Sequence, residues 1–288
     1  MRIALGYYGF IRTSITKENV INFMNLFPND STFDLYFNFP NKLKEFDEDS
    51  FDKKKIIKEL SEIFNVPNMN LVRINIYEYD SFTFINKSQQ LNLPYHTKLI
   101  EKRWCNYPFR IMSLHYGISN LAKLILLENK EYDMVVLTRL DVFYAIKSMG
   151  ICIDKINKKN IFIWKNYEYN WMNFSLAEDV IFVSSMYGTD ILSNMYNYIY
   201  EENNLYIHDL YNYEAFSSEY IITLYINKFQ SLEKEPQTKL DRLKVNEIAT
   251  NQVRSNSDFV ITCYKILKEY NKKYNTNYFE DKIELEFE

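Results

Sequence analysis

Tyr132-Asp133-Met134-Val135-Val136-Leu137-Thr138-Arg139-Leu140-Asp141 is the stretch on which the fold turns. The dense apolar run Tyr132–Leu137 reads as a strand covered on both faces, because a half-exposed strand alternates with polar residues and a doubly covered one does not. The run ends abruptly in Thr-Arg-Leu-Asp. An unpaired Arg139 or Asp141 inside the protein would be costly, so the charges belong at the edge of the sheet. There they face a cleft, a bound ion or each other as a local surface pair.

Outward from this strand, the chain alternates strands and helices. Upstream, Pro108–Asn129 has the apolar spacing of a long helix, with Met112, Leu121, Leu124 and Ile125 among its apolar positions. At the start, Arg2–Tyr7 reads as a buried strand, followed by a turn with Gly6 and Gly9. Thr16–Leu26 then reads as a helix with Thr16 as N-cap, Phe33–Phe39 as a strand before Pro40, Ser50–Phe64 as a helix capped by Ser50, and Leu71–Tyr79 as a strand. Downstream, Ile161–Trp164 and Val180–Val183 read as short strands, Tyr187–Glu201 and Tyr213–Lys228 as helices, Phe229–Arg254 as polar and irregular, and Ser257–Asn271 as a last helix. This alternation predicts an α/β protein with a mostly parallel sheet flanked by helices and a helical C-terminal part. Residues 1–228 are expected to form the ligand-binding domain, and residues 229–288 a polar segment and C-terminal helix packed on it. Ligands of such sheets sit beyond the carboxyl ends of the strands, which singles out the turns after Tyr7 and after Leu137.

Composition narrows the function classes. The 288 residues are 47% hydrophobic and 25% charged, as in ordinary globular proteins. A net charge of -4 without a dense basic block argues against a nucleic-acid binder. Lys, Asn, Ile and Tyr are abundant, which reads as the codon bias of an AT-rich genome. Cys105, Cys152 and Cys263 are odd in number and lack CxxC spacing, so reduced thiols are expected rather than a disulfide framework or a zinc site. The opening apolar run is too short for a signal peptide and no stretch reaches the roughly 20 apolar residues of a membrane span. The expectation is an intracellular, cytoplasmic protein.

Gly6-Tyr7-Tyr8-Gly9-Phe10-Ile11-Arg12-Thr13 is neither GxGxxG nor a P-loop. Its glycines suit a tight turn that approaches a ligand, and Arg12 can fork onto a diphosphate or stand as a surface arginine. Asp141 has the chemistry to hold Mg²⁺ or Mn²⁺, which in turn binds a diphosphate. His96, His115 and His208 form no metal-ligand pattern and read as structural, with His208 the one within thought of a metal. Trp164, Tyr167, Tyr169 and Trp171 form an aromatic loop of the kind that stacks on sugars, in a chain where aromatics are common everywhere. Glu233–Arg254 reads either as a lid carrying Arg242 or Arg254 to a phosphate or as a surface loop.

Four ordered segments carry a resemblance. They are Arg2 to Gly6 with Gly9, Arg12 and Thr13; Arg110-Ile111-Met112-Ser113-Leu114; Tyr132 to Val142; and Ala177-Glu178-Asp179-Val180-Ile181-Phe182-Val183-Ser184-Ser185. In order and spacing they resemble GT-A-type glycosyltransferases found among polysaccharide-biosynthesis and large-virus proteins. Ser218-Glu219-Tyr220 also fits a position of that family. The resemblance covers about the first two-thirds of the chain. It implies a GT-A-like, Rossmann-type nucleotide-binding half joined to an acceptor half, with a nucleotide-diphosphate sugar as donor and a glycan or other hydroxyl compound as acceptor. It implies that Gly6, Gly9, Arg12 and Thr13 line the donor, that Arg12 meets its diphosphate with Arg110 in support, and that Asp141 is the metal-binding member of a DxD-like motif holding Mn²⁺ or Mg²⁺. Arg139 stands where that motif has its first acid, so the guanidinium is positioned to neutralise the leaving diphosphate itself. An acid near the acceptor completes an inverting reaction, with Asp179 the first candidate and Glu178 the second. The same departure from DxD also suits a protein of this fold without catalysis, binding carbohydrate or serving assembly. A NAD-dependent enzyme fits less well, since the third glycine and a ribose-binding acid are missing.

Overall fold

The computed structural model describes residues 1–11, 16–42, 51–93, 108–139, 161–163, 181–202, 218–232, 240–242 and 268–276. Among these, seven strands form one sheet: β1 (Arg2–Tyr8), β2 (Thr32–Pro40), β3 (Met69–Tyr77), β4 (Met134–Arg139), β5 (Ile161–Ile163), β6 (Ile181–Ser184) and β7 (Leu240–Arg242). Their order across the sheet is β3-β2-β1-β4-β6-β5-β7. β3, β2, β1 and β4 are mutually parallel. β6 is antiparallel to both of its neighbours, β4 and β5, and β7 is parallel to β5. Six of the seven strands therefore point the same way and β6 alone is reversed. This is the mostly parallel, helix-flanked α/β architecture that the alternation of elements predicts. Leu240–Arg242 corrects the expected irregular stretch Phe229–Arg254, because these three residues extend the sheet.

Alternate residues of each strand leave in opposite directions, and the core divides accordingly. Ile3, Leu5 and Tyr7 join Leu35, Phe37, Phe39, Met134 and Val136 on one face, covered by Val20 and Phe23 of α1 (Lys17–Met24) and Leu60 of α2 (Lys53–Ile63), with Phe64 just beyond. Ala4, Tyr8, Tyr36, Val135 and Leu137 face the other way, onto α3 (Ser81–Gln90), α4 (Pro108–Leu127), α5 (Met186–Tyr196) and α6 (Ser218–Leu232). A C-terminal helix, α7 (residues 268–274), rests on α3 through Tyr270, whose single hydroxyl proton is shared between the side-chain oxygens of Asn86 and Gln89.

Local chemistry explains the departures from the sequence expectations. α2 begins at Lys53 with Asp52 as its cap, because the Asp52 carboxylate accepts from the Lys54 and Lys55 amides at 2.9 and 3.4 Å. α3 escapes the sequence reading because Ser81-Phe82-Thr83-Phe84-Ile85 is rich in residues with modest helix propensity. Asp80 caps it by accepting from the Phe82 amide at 2.9 Å, and burial of Phe84 and Ile85 holds it. The expected helix Tyr187–Glu201 is α5 followed by a π-helical turn, Asn197–Glu201. On the exposed edge strand β3, Val72 is an extra residue between the pairs Leu35–Leu71 and Tyr36–Arg73. Such a bulge twists an edge away from chance pairing with other chains.

The amino end of the sheet is closed by a polar cluster. The Asp34 carboxylate accepts from Arg2 (2.8 Å), Tyr132 (2.8 Å), Asn70 (3.1 Å) and Lys130 (3.3 Å). Burial acts to raise its pKa, but the four hydrogen bonds together outweigh burial and hold it below the usual carboxylate value. This satisfied cluster leaves the opposite, carboxyl edge as the place for ligand chemistry.

Candidate functional site

At the carboxyl edge β1 lies between β2 and β4, and the chain has changed direction across the sheet: from β1 it proceeds to β2 and β3 on one side, then returns to β4 on the other. A crevice outside such a switch point is where open α/β sheets bind ligands. Tyr8, at the end of β1, pairs with Asn38 of β2 and with Arg139 of β4. Asn38, Tyr8 and Arg139 thus form one row across three strands. Gly9 follows immediately with φ of +91°, a conformation that favours glycine, and a Cβ built on it meets nothing within 4 Å. Among the described residues, nothing fills the space beside this backbone, at the point where the sequence predicts a ligand-approaching turn. Gly6 stands differently. It lies inside β1, and a Cβ there would be 2.8 Å from Leu121 and 3.0 Å from Leu137, so the close approach it permits is that of α4.

α4 carries Arg110 to the same edge. Leu121 packs over Gly6, while Gly117, one turn earlier, sits beside Tyr8 and accepts a hydrogen bond from the Asn38 amide at 3.0 Å. The helix therefore runs opposite to β1, and its amino end projects past the ends of the strands. Arg110 is seven residues before Gly117, about 10 Å farther along the axis at 1.5 Å per residue. Arg110 and Arg139 are both half-buried and both engaged in interactions with neighbouring groups.

The reversal of β6, the one antiparallel strand among the described residues, adds a third contribution. Ile181, the first residue of β6, pairs with Thr138 beside Arg139. β6 thus begins at the edge where β1 and β4 end. Had β6 been parallel, its start would have lain at the opposite edge. β5 runs with β4, so its last residue, Ile163, is at this edge as well. Arg12, Thr13, Asp141, Glu178 and Asp179, together with the aromatic loop from Trp164 to Trp171, lie outside the described residues. Arg12 follows Gly9 by three positions, Asp141 follows Arg139 by two, and Asp179 precedes Ile181 by two.

Polar groups that the sequence does not single out, or reads as structural, hold this edge together. Asn38 is fully buried; its Nδ2 donates to the Gly117 carbonyl and its Oδ1 accepts from Asn75 at 2.7 Å. The only trace of it in the sequence is a polar residue interrupting an apolar strand. His115 of α4 is also buried, with Nδ1 2.9 Å from the Tyr200 hydroxyl in the π-helical turn and Nε2 3.0 Å from the Ser218 hydroxyl at the start of α6. Burial pushes its pKa down to about 3, against a smaller upward effect of the Ser218 backbone. It is a neutral structural bridge, as its isolation in the sequence suggests.

No protein-family model matches the chain, and no curated protein matches it. Among solved structures, the galactosyltransferase LgtC, crystallised with donor and acceptor sugar analogues, is similar over 70% of this chain with 8% sequence identity and a TM-score of 0.34. The chain spans 66% of that protein's length. At this distance the likeness carries no argument about activity or ligands.

The described residues do not form a divalent-ion site. No group of three or more His, Cys, Asp or Glu among them is arranged to hold a metal ion, and the described charged side chain at the end of β4 is a guanidinium, which repels a cation. No helix among the described residues is long and apolar enough to cross a membrane.

Proposed function

We propose that this chain is a glycosyltransferase that moves a sugar from a nucleotide-diphosphate sugar to a glycan or other hydroxyl acceptor. The observation that carries the reading is the meeting of three strand termini at one edge: the end of β1 with Gly9, the end of β4 with Arg139, and, through the reversal of β6, the start of β6 at Ile181. The ordered sequence resemblance to GT-A-type glycosyltransferases assigns donor-binding and acceptor-side residues to these same three segments.

In this reading Arg139 and Arg110, with Arg12 from the turn after Gly9 and Thr13 beside it, hold the donor diphosphate. Guanidinium groups bond phosphate oxygens in a fork. Their fixed charge stabilises the diphosphate as its oxygen takes the electron pair of the breaking bond to the anomeric carbon. The acceptor oxygen forms the new bond, and in an inverting transfer Asp179, with Glu178 in reserve, takes its proton. The aromatic loop between β5 and β6 supplies faces on which an acceptor sugar stacks. Asp141 is retained as the proposed ligand of Mn²⁺ or Mg²⁺, with no step routed through the ion.

A second reading, carbohydrate binding or assembly without catalysis, draws on Arg139 standing in the place of an acid. One experiment separates the two: thermal unfolding and donor hydrolysis with UDP, GDP, CDP and their sugars, each with Mn²⁺ or with EDTA. A ligand at a hundred times its Kd stabilises the folded state by about 2.7 kcal/mol. The transferase reading expects one nucleotide diphosphate to raise Tm, its sugar to be slowly hydrolysed, and Arg139→Gln to abolish both. Stabilisation by glycans alone transfers the case to the binding protein. No response to any nucleotide defeats the proposal.

A further inference from the structure

We propose that Asn38 is a positioning residue, tethering α4 to the strand layer so that Arg110 and Arg139 address one diphosphate; this rests on the donor site proposed above. Arg139 belongs to the row Asn38–Tyr8–Arg139, and its place is set by the strand pairing of β2, β1 and β4. Arg110 belongs to a helix in a different layer, whose place is set by packing. Among the contacts that locate that helix over β1 and β2, two differ in kind. The Gly6–Leu121 contact is apolar and sets how closely α4 approaches. It resists sliding weakly, because apolar attraction has no direction. The bond from Asn38 Nδ2 to the Gly117 carbonyl is directional and lies one turn nearer Arg110.

Asn38 is itself held, since its Oδ1 accepts from Asn75 of β3. The tether therefore runs Asn75–Asn38–Gly117, from edge strand to helix, through a side chain with no exposure to solvent. A slip of α4 by one residue moves Arg110 by about 1.5 Å along its axis, and a displacement of that order costs about a hundredfold where groups must meet a reacting centre. A buried amide at this position makes the spacing of the two guanidinium groups a property of the fold, present before any ligand arrives.

The test is a double-mutant cycle read by titration calorimetry with UDP and inorganic pyrophosphate as probes, on the full chain and with Tm measured for each protein. Asn38→Leu keeps the branched shape of the side chain and removes both hydrogen bonds, while Arg110→Gln removes the charge. The expected result is about tenfold weaker binding for Asn38→Leu and about ten- to a hundredfold for Arg110→Gln, with the double variant no weaker than Arg110→Gln alone. Effects that multiply in the double variant, or a lowered Tm with unchanged affinity in Asn38→Leu, overturn the inference and leave the donor site standing. Binding of neither probe by the unaltered chain overturns the donor site, and the inference falls with it. Should Asn38→Leu not fold, Asn75→Leu weakens the same tether while leaving the Gly117 bond; it must weaken binding in the unaltered background and not in Arg110→Gln, and equal loss in both overturns the inference.

Discussion

Acid should weaken this protein through His115 before it reaches the carboxylates. The imidazole is fully buried and bridged between the Tyr200 and Ser218 hydroxyls, so the folded state holds it neutral, with a pKa near 3 in place of 6.5. The unfolded chain takes up the proton near pH 6.5. Above that pH both states are neutral at this site and stability does not depend on it. Below it the unfolded state alone is protonated, and stability falls by about 1.4 kcal/mol per pH unit until the folded pKa is reached. Between pH 6.5 and 5.0 the loss amounts to about 2 kcal/mol, or about 4 °C in Tm for a protein of this size. His115→Gln offers a neutral side chain to the same two hydroxyls and has nothing to titrate. Urea unfolding of both proteins at half-unit intervals isolates the effect, because every other group, His96 and His208 included, cancels in the difference. The wild type should lose its stability relative to His115→Gln across this window. Parallel curves would refute the reasoning, showing that the site admits a proton or is already open to water at pH 5.

Two other sites give sharp expectations. Gly6→Ala drives a Cβ to 2.8 Å from Leu121 in a packed core; overpacking of this kind costs about 1 to 3 kcal/mol, against less than 1 kcal/mol gained from a stiffer unfolded chain. A urea midpoint below wild type checks it, and shortening the obstacle in Gly6→Ala/Leu121→Val should recover part of the loss. Asp34→Ala leaves Arg2, Lys130, Tyr132 and Asn70 without their common acceptor, for a loss of about 2 kcal/mol at pH 7, reduced because Arg2 and Lys130 reach solvent. The Asp34 carboxyl is held below its ordinary pKa, so its contribution is present above the ordinary carboxylate range and disappears as pH falls through the lowered folded value. The wild type and Asp34→Ala should therefore converge in strong acid, as chemical unfolding across pH would read.

Much of the fold is legible residue by residue. The dense apolar run Tyr132–Leu137 predicts a doubly covered strand, and β4, which begins at Met134, is covered on both faces. The spacing of Met112, Leu121 and Ile125 predicts a long helix, and α4 runs for 20 residues. The charged end of β4 predicts an exit at an edge, and Arg139 stands there. Helix α3 was not legible, because its cap and its burial against α4 outweigh residues of modest helix propensity, and packing between distant segments leaves no local periodicity. Asn38 and the pairing of His115 with Tyr200 and Ser218 were equally hidden, since their partners lie 79, 85 and 103 residues away.

What the sequence determined by itself was the alternation of strands and helices, the doubly covered core strands and the placement of charge at strand ends, all of them consequences of side-chain period over a few residues. What only the tertiary structure decided was direction and company. The run Ile181-Phe182-Val183 is equally apolar read forwards or backwards, so nothing local tells whether β6 runs with β4 or against it. Its reversal, settled by hydrogen bonding to Val135 through Thr138, places Ile181 at the edge that holds Arg139.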